Sequence, residues 1–316
     1  MSVPGRVAIV GAGEIGSGWA ALFAAHGAEV RIFDRDAAAE RRARATLTDA
    51  VRLGVGVDHM GSVDAYFDLD DVVQGAEWVQ ESLPEDLDTK LEMLGSLERA
   101  LSPSAIVASS SSSCTPTDLS KSFSFADRFI VAHPLHPVYA VPVVELCGGD
   151  RTNPRTVERA VEVMRAVGRQ PIVLQGEVAG LVTNRLTAAL LREAFDLVTR
   201  GIISADDLDI LVSRGIALGW TAAGPLATEA IGAGSGGFPE FLNRFESALA
   251  GIWGSLAGWT SLDGERRATL KLATNRVLHP SNVPQAAVRM EERLRINDWS
   301  GRITDILRAA NPADGS

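Results

Sequence analysis

RVAIVGAGEIG, residues 6–16, is the stretch on which the fold of this chain turns. Arg6–Val10 is a short apolar run of strand type, and Gly11-Ala12-Gly13-Glu14-Ile15-Gly16 follows it at once with G-x-G-x-x-G spacing. A helical pattern over Glu14–Ala25 comes next. In such a strand–turn–helix unit, Gly11 permits the tight turn and Gly13 lets backbone N–H groups approach a pyrophosphate. Gly16 lets helix and strand pack closely. The helix N-terminus at Glu14 and Ile15 then turns its partial positive charge toward the phosphates. A second strand, Glu29–Phe33, ends at Asp34, about 20 residues past the loop, where a carboxylate accepts from a ribose 2′-OH. That carboxylate repels a 2′-phosphate, so NAD is the expected cofactor, with Arg35 a nearby counterweight.

Working outward, the first half alternates short apolar runs with helical stretches. Ala76–Gln80, Ala105–Ser109, Phe129–Ala132, Val141–Leu146 and Pro171–Leu174 read as strands. Asp36–Leu53, Asp86–Leu101 and Pro154–Val167 read as helices. This alternation implies an α/β fold, a doubly wound and mostly parallel sheet covered on both faces. After about Glu177 the rhythm changes. Leu181–Arg200 is one long amphipathic pattern stopped by Gly201, and Ser204 caps a helix with Asp206 and Asp207 in its first turn. Gly232–Gly237 reads as a flexible loop and Asn311–Ser316 as a frayed tail. The expected organisation is a Rossmann-like cofactor domain over 1–177 and an all-helical domain over 178–316.

Composition narrows the class. At 316 residues, with 46% hydrophobic and 22% charged residues, the chain builds a large core and is not of disordered type. A net charge of −10 argues against nucleic acid or an anionic membrane as partner. Two cysteines, Cys114 and Cys147, are too few for a disulfide framework and suit a reducing, cytoplasmic setting. No run approaches the roughly 20 apolar residues of a membrane span, and the N-terminus shows no leader pattern.

The stretch AIVASSSSSCTPT (105–117), followed by RFIVAHPLHPVYAVPVVEL (128–146), holds the candidate chemistry. Oxidising a secondary alcohol needs a base for the hydroxyl proton as hydride leaves carbon. His133 stands at a strand end, where ligands of open sheets collect, and imidazole titrates in the range such a base requires. Glu145 is a lone carboxylate in an apolar strand and costly to bury unless partnered. Pairing it with His133 solves that problem, sets the imidazole tautomer and stabilises the imidazolium. No Cys/His/Asp/Glu cluster has metal-ligand spacing, so no metal is expected. His26, at a helix end, and His59 and His279, in loops, lack partners of this kind.

These motifs together resemble the L-3-hydroxyacyl-CoA dehydrogenase superfamily, from Val7 to about Phe245. The anchors are the glycine loop, QESLPEDLDTK (80–90), the serine run, His133-Pro134-Leu135-His136-Pro137 with Glu145, and Gly180–Arg185 (GLVTNR). HPLHPVYAVPVVEL and GPLATEAIG are most similar to the L-gulonate 3-dehydrogenase (λ-crystallin) and carnitine dehydrogenase branches. The resemblance implies the His133–Glu145 pair as catalytic. It assigns a substrate contact to Ser112, with Ser111 or Ser113 as alternatives, and another to Asn184, which taken alone reads as a helix cap. It also implies Glu81 near the nicotinamide ribose and Lys90 either on the cofactor or as a solvated charge. Relatives dimerise through the helical domain, so a homodimer is expected.

Two departures bear on substrate. The family usually has Asn where this chain has His136. Residues 54–70, GVGVDHMGSVDAYFDLD, are acidic and carry no Lys or Arg where acyl-CoA enzymes hold the CoA on a basic helical hairpin. Both favour a small CoA-free hydroxy acid, gulonate-like or carnitine-like. A 3-hydroxyacyl-CoA dehydrogenase is the alternative, which a basic patch around Arg41, Arg42 and Arg44 would revive. A non-catalytic, crystallin-like NAD-binding protein is the less favoured third reading.

Overall fold

The computed structural model describes residues 2–57 and 59–274. His279 and the tail Asn311–Ser316 lie outside the described residues. In chain order the elements are β1 (Arg6–Val10), α1 (Glu14–Ala25), β2 (Glu29–Phe33), α2 (Ala39–Arg52), β3 (Val63–Tyr66), α3 (Leu69–Val73) and β4 (Trp78–Glu81). There follow α4 (Leu87–Leu97), β5 (Ile106–Ser109), α5 (Pro116–Ser120), β6 (Phe129–Pro134), β7 (Val143–Gly148), α6 (Pro154–Ala166) and β8 (Gln170–Val173). The remainder is helical: α7 (Leu181–Thr199), α8 (Ala205–Leu211), α9 (Ala217–Ala223), α10 (Pro225–Gly232), α11 (Gly237–Trp253) and α12 (Gly264–Thr274). Gly232–Gly237 is no open loop: Gly234–Gly236 forms one 3₁₀ turn between α10 and α11.

The strands form one sheet in the order β3-β2-β1-β4-β5-β6-β7-β8. All neighbours are parallel except β6 and β7. The strand order reverses at β1, which lies between β2 and β4. In sheets of this kind ligands bind outside the carboxyl ends of the strands at that reversal. β3 escapes sequence reading. Val-Asp-Ala-Tyr alternates too briefly to stand out from its acidic surroundings, and pairing with β2 makes it a strand.

Strand alternation divides the core between the two faces of the sheet. Val7 and Ile9 point into a cluster with Trp19, Phe23, Trp78, Val163 and Met164. Ala8 and Val10 point into another with Leu94, Leu97, Phe125 and Phe129. Helix α1 is buried from Gly16 to Ala25, and Trp19, Phe23 and Trp78 have no solvent exposure. Truncating one such aromatic side chain to alanine costs about 3–5 kcal/mol.

The chain divides into two compact units, 1–185 and 186–316, the first of which takes in the start of α7. The reason lies in the first turn of α7. Leu181 is buried in the same cluster as Cys147 and Val131, and two amides of that turn bond a side chain of β7. The second unit holds helices and no strand among its described residues. Within it, Trp259 Nε1 donates to Asp196 and the Ala257 amide to Glu193, tying residues 257–259 to α7. Its helices leave many apolar side chains in solvent, Leu186, Leu226 and Ile231 among them at 64%, 69% and 70% exposure. Among the described residues no single helix is long and apolar enough to cross a membrane.

Candidate active site

The glycine loop is built as its spacing demands. Gly11 has φ +86°, and a Cβ on it would lie 2.9 Å from the Ser82 carbonyl oxygen. A Cβ on Gly16 would fall 1.9 Å from the Gly11 carbonyl oxygen, so only glycine lets α1 start this close to β1. A Cβ on Gly13, by contrast, would meet nothing within 4 Å; that open space is where a ligand backbone-cradled by the loop would lie. Asp34 braces the turn. One carboxylate oxygen accepts the Ala12 N–H at 2.6 Å and the other the Asp36 N–H at 2.7 Å. Arg42 holds the other side, donating to the Ala12 carbonyl from Nε and Nη2 and to Asp36 from Nη1.

Gly11, Gly13, Glu14, Ile15, Asp34 and Arg35 line one cleft of about 720 Å³, together with Ser82–Pro84 and the outer face of α4. Its position at the β1/β4 reversal, the open space over Gly13 and a carboxylate at the end of β2 fit a dinucleotide. Glu14 also meets His136, whose Nε2 lies 3.1 Å from its Oε1. The histidine that stands where the family usually has Asn is therefore paired with the glycine loop itself.

His133 and Glu145 are register partners across the antiparallel β6–β7 pair. Their side chains share one face, and His133 Nδ1 lies 2.9 Å from Glu145 Oε2. Both are buried, at 8% and 3% exposure. A carboxylate only accepts, so the Nδ1 hydrogen is directed at Glu145, and in the neutral imidazole the lone pair is on Nε2. The other oxygen, Oε1, accepts the N–H groups of Val182 and Thr183 at 3.0 Å each. It thus caps the helix whose first turn carries Asn184. Leu181 reaches this turn at φ 51°, a left-handed conformation that costs about 1–2 kcal/mol and is offset by the two bonds.

The serine run divides its labour. Ser109 donates to Glu81. Ser110 bonds Trp19, Gln80 and Ser82. Ser111 and Ser113 donate their hydroxyls to Glu85 Oε1 at 2.6 and 2.8 Å, and the amides of Ser112 and Ser113 reach the same oxygen. Among the described residues, only the Ser112 hydroxyl of the five is left without a bond. The two alternatives considered for a ligand contact, Ser111 and Ser113, are already engaged.

Two of the expected cofactor residues are buried as an ion pair. Glu81 and Lys90 line no part of the cleft. They are essentially sealed from solvent and paired with each other at 2.9 Å, so Lys90 is not a solvated charge. The last residue of β4 points into the sheet, and a carboxylate there requires a buried cation. Glu85 was missed by sequence reading. Burial would raise its carboxyl pKa, but the bonds from Ser111 and Ser113 and the charge of Lys90, 3.4 Å away, outweigh that and hold it at about 2. In QESLPEDLDTK one acid looks like another; only the convergence of donors from Ser111, Ser112 and Ser113 singles out Glu85.

An imidazole oriented by a carboxylate, at the same sheet edge as a dinucleotide cleft, is the equipment of the nicotinamide-dependent dehydrogenases. Residues 6–178 match the family model described as 3-hydroxyacyl-CoA dehydrogenase, NAD binding domain. The chain belongs to that family and is an NAD-dependent oxidoreductase. It is 38% identical over 260 residues to the L-carnitine dehydrogenase of Streptomyces coelicolor, covering 80% of this chain and 81% of that one. To the L-carnitine dehydrogenase/betainyl-CoA thioesterase of Ruegeria pomeroyi it is 36% identical, over 79% of this chain, and it spans only 52% of that longer protein. A crystal structure of an NAD⁺-dependent dismutase, 5-formyl-3-hydroxy-2-methylpyridine 4-carboxylic acid 5-dehydrogenase, matches with TM-score 0.81 and 28% identity. The match covers 94% of this chain and 98% of that one.

Proposed function

We propose that the protein oxidises the 3-hydroxy group of a small, CoA-free hydroxy acid of the carnitine type. The His133–Glu145 pair carries the reaction class, because Glu145 leaves the Nε2 lone pair of His133 free to take a hydroxyl proton. Bound NAD supplies the hydride acceptor. His133 Nε2 removes the proton from the substrate hydroxyl as the carbon becomes a carbonyl, and Glu145 stabilises the imidazolium that results. The Ser112 hydroxyl and the Asn184 side-chain amide bond the substrate oxygen, the first because no group among the described residues occupies it. Glu85 acts on Ser112 as a positioning residue by holding its amide.

The carnitine-like substrate rests on the relatives' names and on the missing basic hairpin. Val63–Tyr66 is a sheet strand in the stretch where acyl-CoA enzymes carry the basic helical hairpin. Of the arginines that would revive an acyl-CoA substrate, Arg42 is spent on Ala12 and Asp36, and Arg44 on Glu40 and Asp64. A homodimer formed through the helical unit and a cytoplasmic location complete the reading. NADH formation with L-carnitine, L-gulonate, 3-hydroxybutyrate and 3-hydroxybutyryl-CoA is the test. L-carnitine is expected to give the highest kcat/KM; preference for the thioester would overturn the reading.

A further inference from the structure

Ser110 is the hub of a polar chain threaded beneath the glycine loop. Trp78 Nε1 donates to Gln80 Oε1 at 3.0 Å, and Gln80 Nε2 donates to Ser110 Oγ at 2.9 Å. Trp19 Nε1 also donates to Ser110 Oγ, at 3.1 Å, and the Ser110 and Ser82 hydroxyl oxygens lie 2.8 Å apart. The direction of each proton is forced. An indole N–H only donates, so the Gln80 amide turns its oxygen to Trp78 and its NH₂ to Ser110. Both lone pairs of the Ser110 oxygen are then occupied, by Gln80 and Trp19. Its single hydrogen goes to Ser82 Oγ. Ser82 is left as the acceptor of that bond, and its own hydrogen has no partner among the described residues.

That hydrogen stands at the cofactor cleft. Ser82 lines it together with Gly11 and Gly13, and a Cβ on Gly16 would lie 3.3 Å from the Ser82 Cβ. We propose that Ser82 is a hydrogen-bond donor of fixed polarity to a pyrophosphate oxygen of bound NAD, preset by the Trp78–Gln80–Ser110 chain. A hydroxyl that must donate favours an anionic acceptor at the mouth of α1 and incurs no reorientation when the cofactor arrives. The inference concerns affinity for the cofactor and is independent of which alcohol is oxidised.

The test is direct titration of the full chain with NADH and with ADP, which carries the pyrophosphate but no nicotinamide half. Ser82→Ala is expected to weaken both about tenfold, while Ser82→Thr, which keeps the donor, stays within about twofold of wild type. Gln80→Glu leaves Ser82 untouched but reverses the chain. A carboxylate there accepts from Ser110, which then accepts from Ser82 and draws its hydrogen inward. Gln80→Glu is expected to lose the same factor, and the double variant no more than either alone. If Gln80→Glu does not fold, the Ser82 pair decides alone. Wild-type affinity in Ser82→Ala, or a loss with NADH and none with ADP, would overturn the proposal. A wild-type chain that binds no NADH overturns the cofactor assignment itself, a separate outcome.

Discussion

Glu145 and Val182 are joined by a bond of 3.0 Å between the carboxylate Oε1 and the amide N–H. The residue that orients the imidazole of His133 therefore also caps the helix that carries Asn184. One carboxylate sets the place of two groups expected at the substrate. It spends negative charge where a helix N-terminus welcomes it.

Loss of the base and loss of its partner are expected to differ. His133→Ala lowers kcat at least about a hundredfold with little change in NADH affinity. Glu145→Gln also lowers kcat, and it loosens the first turn of α7, because an amide is a weaker acceptor for the Val182 and Thr183 N–H groups. Steady-state kinetics, NADH titration and hydrogen exchange at residues 182–184 check this. Faster exchange is expected in Glu145→Gln and not in His133→Ala.

The clamp on the serine run has a pH signature. Glu85 is held at about 2 in the folded protein, against about 4.3 for an unperturbed glutamate. A depressed carboxyl contributes stability that is fully present above the unfolded value and is lost as pH falls toward the folded one. Denaturation midpoints of wild type and Glu85→Gln should therefore differ at pH 7 and converge between about pH 4.3 and 2. A gap that stays constant over that window would show that the charge of Glu85 is not what holds the loop.

Cofactor choice follows from Asp34, but with a complication that the hydrogen bonds introduce. Both of its oxygens hold backbone amides of the cofactor loop. Asp34→Ala should narrow the preference for NAD over NADP by weakening NAD binding. It should not create an NADP enzyme of wild-type efficiency. Kinetics with both nucleotides check this, and equal efficiency in the wild-type chain would refute the preference.

The two thiols should behave differently toward alkylation. Burial, aided by Glu177 and Glu145, raises the Cys147 thiol to about 11, whereas Cys114 is only half-buried. Reactivity follows the thiolate. Mass spectrometry after iodoacetamide treatment at pH 8 should find Cys114 modified and Cys147 protected until the protein is denatured.

The apolar side chains left exposed on the helical unit should be covered by a second copy of the chain. Light scattering is expected to give about twice the 33.5 kDa of one chain. Charge placed by Leu226→Glu and Ile231→Glu should yield a monomer. A wild-type monomer at micromolar concentration with full activity would end this reading.

What the sequence determined by itself was whatever depends on local period and local sterics. The β1–α1 unit followed from an apolar run meeting three glycines whose spacing only one turn satisfies. The His133–Glu145 pairing followed from a carboxylate too costly to bury alone and a histidine at a strand end. Tertiary structure decided what depends on pairing across the chain. Val63–Tyr66 is a strand only because β2 offers it an edge, and the first turn of α7 belongs to the first unit because Glu145 binds it there. Glu81 and Glu85 are chemically alike and four positions apart. Glu81 is sealed between Lys90 and Ser109, whereas Glu85 gathers the donors of Ser111–Ser113, a division that residue types do not carry. The proton order running from Trp78 to Ser82 likewise exists only once β4, β5 and α1 bring its donors within 3 Å or so of one another.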